Sequence, residues 1–297
     1  MELILNSVIA DPREHRAVFE RLINSSHKEY IDINTSIPWE LGVQKNQFPK
    51  KVDHMWLYGT PYFDQLSDEQ KLEMAWLEVA RDASFFIHFE QIIPLTYAAY
   101  INRYKEQMDD KVYEYLMIFS REELTHIMMF HRYLQVANLP WYPLPEGYDQ
   151  LASKLPDMAP EVGILYTLLI EWTAENAVVA SVEKGGVDPL THELWVEHHK
   201  EEVRHIAFGK RIGEEFFARG NPDHVRMIQI QLRSLVGQLH YVYNFNPGIA
   251  QYLSFDLPFD VNDARIVHEI RTSEHNRKLN QERFSSINKW CTKLGIL

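Results

Sequence analysis

Two stretches repeat one local pattern: REELTHIMMF at Arg121–Phe130 and KEEVRHIAFG at Lys200–Gly209. Each carries a basic residue, two glutamates, two spacers and a histidine. Residues three apart on a helix share a face. Glu123 and His126 can therefore reach one metal ion together, and so can Glu202 and His205. A carboxylate oxygen with an imidazole nitrogen suits iron, manganese or zinc. A single Glu-x-x-His is a weak signal. In a chain with 14 histidines roughly one such match arises by chance. The competing reading is two amphipathic helices with polar faces.

The preceding helices strengthen the metal reading. SFFIHFEQIIPL places Glu90 among apolar and aromatic neighbours, and LYTLLIEWTAEN does the same for Glu171. A carboxylate on an apolar helix is costly to bury unless it is paired or bound to metal. The order is helix with Glu, helix with Glu-x-x-His, then the same again. The halves are offset by about eighty residues (202 − 123 = 79; 171 − 90 = 81). That arrangement is the ligand set of carboxylate-bridged di-metal helical bundles. HHKEEVRH adds His198 four residues before Glu202, in one stripe with His205. His199 points about 100° away from that stripe.

The seven residues resemble the AurF-like di-iron arylamine N-oxygenases, the p-aminobenzoate N-oxygenase family, whose pattern is Glu, Glu-x-x-His, Glu, then His-x-x-x-Glu-x-x-His. It falls on Glu90, Glu123, His126, Glu171, His198, Glu202 and His205. The entry to the first ligand helix, LYGTPYFDQLSDEQKLEMAWLEVA, is also similar. The resemblance covers about residues 56–210. It implies a ferritin-like, ribonucleotide-reductase-like four-helix core with additional packing helices. It implies two Fe ions (Mn possible) and O2, with oxygen inserted into a small-molecule amine to give hydroxylamine, then nitroso or nitro products. An unidentified electron donor and a homodimer are implied with it. Two alternatives are a ferritin-like iron-binding or ferroxidase protein, and an R2-like radical or ligand-binding oxidase. His198 argues against the second, whose sites carry fewer histidines.

Other residues near the motifs are read as lesser players. Glu122 and Glu201 point off the ligand face, towards solvent or basic partners. Glu175 shares the face of Glu171 and can hydrogen-bond a ligand histidine from the second shell. His88 and His131 read as core-edge histidines. Arg81 and Arg204 are the cations that could pair with Glu90 or Glu171 if no metal were present. Phe85 and Phe86 offer no cation for a benzoate-like carboxylate.

The elements that must position these residues are helical. Asp11 caps a first helix, with Pro12 at its first position. Residues 29–66 lack a steady period and read as an extended segment covering the core. Ser67 opens a long helix with a capping box to Gln70, and Pro94 inside it predicts a kink. Further helices are expected at about 110–137, 159–182 (ending at Gly185-Gly186), 189–219, 222–253 and 261–294, the last two broken by Pro247 and Pro258. Strand-like alternation is nearly absent. The expectation is one all-α domain over 1–297.

Composition agrees. The chain has 297 residues, 45% hydrophobic, with 30 Lys and Arg against 42 Asp and Glu. A net charge of −12 argues against a general nucleic-acid binder. The one cysteine excludes an internal disulfide or a Cys-based cluster and fits a cytoplasmic location. The first sixteen residues show neither a basic n-region nor a long apolar core, and no uncharged run of membrane-spanning length is evident.

Overall fold

The computed structural model describes residues 7–144, 148–182 and 186–297, and among them the only regular elements are helices. Ten are α-helical: α1 (Arg16–Lys28), α2 (Asp68–Tyr104), α3 (Asp110–Val136), α4 (Tyr148–Lys154), α5 (Pro160–Val182), α6 (Pro189–Arg219), α7 (Pro222–Val242), α8 (Ala264–Arg271), α9 (Glu274–Arg283) and α10 (Ser285–Lys293). Helix α2 packs along α3 and α5 along α6, and the two pairs close on each other. Helix α1 lies over α3 and α6, while α7, α9 and α10 cover α5. The architecture is that of a ferritin-like four-helix core with packing helices.

Capping residues set where three of the four core helices, α2, α3 and α6, start. Ser67 Oγ accepts from Gln70 N, and Gln70 Oε1 accepts from Ser67 N at 2.9 Å, closing the capping box. Asp109 Oδ1 caps α3 through Lys111 N at 2.9 Å. Asp188 Oδ2 caps α6 through Thr191 N at 2.9 Å, with Pro189 at the first turn.

Helix α5 is apolar all round and is buried on nearly every side, as a helix at the centre of a bundle must be. It is long and apolar enough to cross a membrane by composition, and 83% of its most apolar window is buried in the protein. Close approach to its neighbours depends on glycines. A Cβ on Gly163 would lie 1.7 Å from the Tyr100 hydroxyl, and one on Gly213 would lie 2.6 Å from Leu165 Cδ2.

Several boundaries differ from the sequence expectation. Asp11 does not cap an α-helix at Pro12. A 3-10 turn at Arg13–His15 comes first, and α1 begins at Arg16. Helix α2 runs through Pro94 as one element, as the sequence reading has it, with Ile93, Tyr97 and Tyr100 buried on either side of the proline. Helix α7 stops at Val242, well short of 253, and the stretch expected at 261–294 is three short helices, α8 to α10. Asp263 and Ser273 each begin a new helix there by accepting backbone N–H groups. Helix α4 was not anticipated. Residues 29–66 form three single-turn 3-10 helices joined by turns, at Trp39–Leu41, Val52–His54 and Phe63–Gln65. The expected stop of α5 at Gly185-Gly186 falls partly outside the described residues, as does the start of the chain read for a leader segment.

Candidate metal centre

The four core helices turn Glu90 (α2), Glu123 and His126 (α3), Glu171 (α5), and His198, Glu202 and His205 (α6) into one buried space, each at most 2% exposed. Their donor atoms form two sets, each with all members within 4.8 Å of one another: Glu90, His126, His198 and Glu202, and Glu123, Glu202 and His205. Glu202 belongs to both. Its Oε1 lies 3.3 Å from His126 Nδ1, 3.4 Å from His198 Nε2 and 3.1 Å from His205 Nδ1. Glu171 stands outside both sets, although its charge acts on Glu123, Glu202 and Glu90.

Each histidine shows the same division of labour. One ring nitrogen faces this carboxylate cluster, and the other is held from behind by a different glutamate. His126 Nε2 is 2.8 Å from Glu201 Oε2, His205 Nε2 is 2.8 Å from Glu122 Oε2, and His198 Nδ1 is 3.1 Å from Glu175 Oε2. With a metal ion at the inner nitrogen, the outer nitrogen would carry the proton and donate it to its glutamate. This is the outer hydrogen bonding that fixes metal-ligating imidazoles.

Glu122 and Glu201 lie off the ligand face and meet a basic partner, Arg204, as one branch of the sequence reading has it; the other branch, solvent, does not hold. Both are buried, at 1% and 2% exposure, and neither faces solvent. Each crosses to the other half of the bundle. The first glutamate of the α3 phrase holds the histidine of the α6 phrase, and the reverse. Arg204 spans the two, with Nη2 at 3.1 Å from Glu122 Oε1 and 3.4 Å from Glu201 Oε1. It also binds Ser26 Oγ and the Glu29 carbonyl. The signal available in the sequence was the doubled glutamate itself, written identically in both phrases. Glu175 also holds His199 Nδ1, at 2.6 Å, so the off-stripe histidine braces a brace. His88 sits at the core edge against the Tyr142 carbonyl, and His131 is exposed beside Trp141.

Aromatic rings wall the histidines. Phe119 stacks on His205 with ring centroids 3.6 Å apart. Phe86 and Phe130 meet His198 edge-on at 5.0 and 4.9 Å. In this dry setting the charges are strongly perturbed. Burial raises Glu90 to about 8 and holds Glu123 and Glu171 above the ordinary carboxylate range, with neighbouring carboxylates adding to it. Burial would also raise Glu202, but His205 and His198 bring it down to about 2. Burial opposes charge on His198 and His205, yet Glu202 and the other glutamates around them push both well upward. A cluster this rich in anions calls for cations.

The buried atoms fit a pair of metal ions. Glu90 Oε2, Glu123 Oε2, Glu171 Oε1, Glu202 Oε2 and His126 Nδ1 have no hydrogen-bond partner among the described residues. Buried acceptors without such a partner also occur elsewhere among the described residues, at Glu78 and Glu161, but here five of them, on five residues, converge on one space. Oxygen-rich, imidazole-containing donors of this kind suit iron or manganese.

No curated protein matches the chain. The family described as P-aminobenzoate N-oxygenase AurF matches residues 12–295, nearly the whole length. Members of that family use a di-iron centre, and the buried glutamates and histidines here can hold two ions. Storage of iron or a radical-generating role is thereby displaced as the main reading. The chain belongs to the p-aminobenzoate N-oxygenase AurF family and is an O2-dependent di-iron oxygenase acting on an arylamine-type nitrogen.

Proposed function

We propose that Glu90, Glu123, His126, Glu171, His198, Glu202 and His205 are the ligands of the two irons, within a single domain spanning the chain. Glu202 is the shared ligand, since its Oε1 lies within 3.4 Å of all three inward-facing nitrogens. Glu90, His126 and His198 would hold one ion with it, and Glu123 and His205 the other; Glu171, outside both sets, would offer its buried carboxylate in the same space. When bound, the two irons supply the redox chemistry that activates O2 for transfer to the amine. The chain's own residues hold, orient and dry the centre. Glu122, Glu175 and Glu201 fix the imidazole tautomers, and Phe86, Phe119 and Phe130 exclude water. Manganese in one position remains compatible with the donor set.

The observation that carries the assignment is the three inward-facing nitrogens, each backed by its own glutamate. Elemental analysis of the purified holoprotein tests it. Two irons per chain are expected, falling sharply in Glu123→Ala and His205→Ala. Unchanged metal content in both variants overturns the assignment.

The reducing electrons come from a separate donor protein or small reductant. The cytoplasm is the proposed compartment, on the strength of the single buried cysteine. A homodimer is proposed through the outer face of α2 and α3. There Gln91, Leu95 and Ala98 on α2 and Met117, Leu124 and Met128 on α3 are exposed, uncharged positions on a chain of net charge −12. Light scattering of Leu95→Glu and Met128→Glu against the parent tests this, with a shift to monomer expected in the variants.

A further inference from the structure

Between α2, α4, α5 and α7 lies a cavity of 670 Å³. Its floor is buried and apolar, formed by Phe85 on α2, Ile170 on α5 and Leu239 on α7. Its rim is exposed and carries neutral hydrogen-bonding groups, Gln150 on α4 and Gln231, Ser234 and Gln238 on α7. One aromatic ring separates the floor from the metal centre: Phe86 meets Phe85 edge-on at 6.1 Å and His198 edge-on at 5.0 Å.

Tyr148 stands at this junction. It lines the cavity, and its ring meets Phe85 and Phe89 at 6.3 and 6.2 Å. Its hydroxyl is buried without a hydrogen-bond partner among the described residues, as are those of Tyr115, Tyr142 and Tyr243, which do not line the cavity. Burial raises the Tyr148 hydroxyl well above the ordinary tyrosine range, with the charges of Tyr243, Glu90 and Glu171 adding to it. A buried tyrosine hydroxyl ordinarily has a partner, so a group from a ligand is the natural one to complete it.

We infer that this cavity is the amine chamber and that it takes an elongated, neutral arylamine, whose amino end is oriented by the Tyr148 hydroxyl and whose amide- or hydroxyl-bearing tail meets the glutamine rim. The inference rests on the di-iron oxygenase reading of the neighbouring site. Size supports it, because cavities of several hundred Å³ accommodate drug-sized ligands rather than single rings. Charge supports it too. The one buried cation on the wall, Arg81, faces Asp82 at 3.0 Å and lies over the Phe85 and Tyr243 rings. Lys154 is exposed at the rim, where an ion pair contributes little. Nothing in the floor favours a carboxylate.

Three probes separate the possibilities: 4-aminobenzanilide (two rings joined by a neutral amide), aniline and 4-aminobenzoate. Calorimetric binding to the iron-loaded protein without reductant reads the chamber independently of turnover. 4-Aminobenzanilide should bind at least tenfold more tightly than either single-ring amine. Ser234→Trp, which narrows the rim, should abolish that advantage with both irons retained. Gln238→Trp should do the same, so misfolding of one variant does not spoil the test. Tyr148→Phe should lower kcat/KM for every oxidised amine about tenfold, the loss of one hydrogen bond, with iron content intact. Preference for 4-aminobenzoate, or an advantage that survives both tryptophans, overturns the inference. Tight 4-aminobenzanilide binding without N-oxygenated product from any probe upholds the chamber and instead refutes the oxygenase reading.

Discussion

Glu201 Oε2 lies 2.8 Å from His126 Nε2, and the reciprocal contact from Glu122 Oε2 to His205 Nε2 has the same length. The two halves of the bundle thus hold each other's histidines. The crossing ties α3 to α6 at the metal centre, and Arg204 balances both glutamates with one guanidinium.

That crossing predicts the behaviour of Glu122→Gln and Glu201→Gln. A glutamine keeps the volume but can present an N–H to the imidazole, weakening control of the tautomer. Removal of such outer hydrogen bonds commonly weakens metal binding about 10–100-fold. Iron affinity measured by chelator competition should drop by that order in each variant. Glutamine variants indistinguishable from the parent would return both residues to the role of bystanders.

The shared position of Glu202 makes a prediction of a different kind. Glu202→Ala should leave fewer than one iron per chain, because both donor sets lose a member. Glu90→Ala removes a donor from one set and should leave about one iron. Metal analysis after identical reconstitution distinguishes these outcomes, and equal losses in the two variants would contradict a bridging Glu202.

His54 and His240 predict the acid limb of stability. Burial lowers both to about 4, with nearby Lys50 and Arg283 adding to the effect. The unfolded chain takes up protons on these rings near 6.5, while the folded chain stays neutral until about 4. Protons therefore favour the unfolded state as pH falls from 6.5 towards 4, and stability is lost over that window. Allowing for their partial contact with water, each contributes on the order of 1 kcal/mol at pH 5. Urea unfolding of metal-free protein at pH 7 and pH 5 should show the loss, and His240→Gln should flatten it. An unchanged slope in that variant would remove His240 from the account.

Gly163 predicts a packing limit. The Tyr100 hydroxyl donates to the Leu155 carbonyl at 2.6 Å and occupies the space a Cβ at 163 would need. Gly163→Ala should destabilise the fold by about 1–3 kcal/mol, the usual cost of overpacking, and lower the thermal midpoint. Gly163→Ala combined with Tyr100→Phe, which vacates the hydroxyl, should recover part of the loss.

Six of the seven candidate donors picked out by spacing come together in the structure, because helical spacing is local. Glu123 with His126, and His198 with Glu202 and His205, share faces through backbone geometry alone. Glu90 and Glu171 stood out because an unpaired charge on an apolar helix needs a reason. Three of the four core helices, α2, α3 and α6, start at local signals, since Ser67, Asp109 and Asp188 cap them through contacts within four residues. What only the tertiary structure decided depends on elements far apart in the chain. Glu122 and Glu201 look like outward-facing residues on their own helices, and only the packing of α3 against α6 turns each onto the other's histidine. The unpartnered Tyr148 hydroxyl and the cavity around it are assembled from α2, α4, α5 and α7, so no single stretch of sequence carries their signal. The C-terminal region divided into α8, α9 and α10 where caps at Asp263 and Ser273 outweighed a periodicity that read as one long helix. Spacing within a helix follows from covalent geometry, while the partner across the bundle follows from which faces the folded chain brings together.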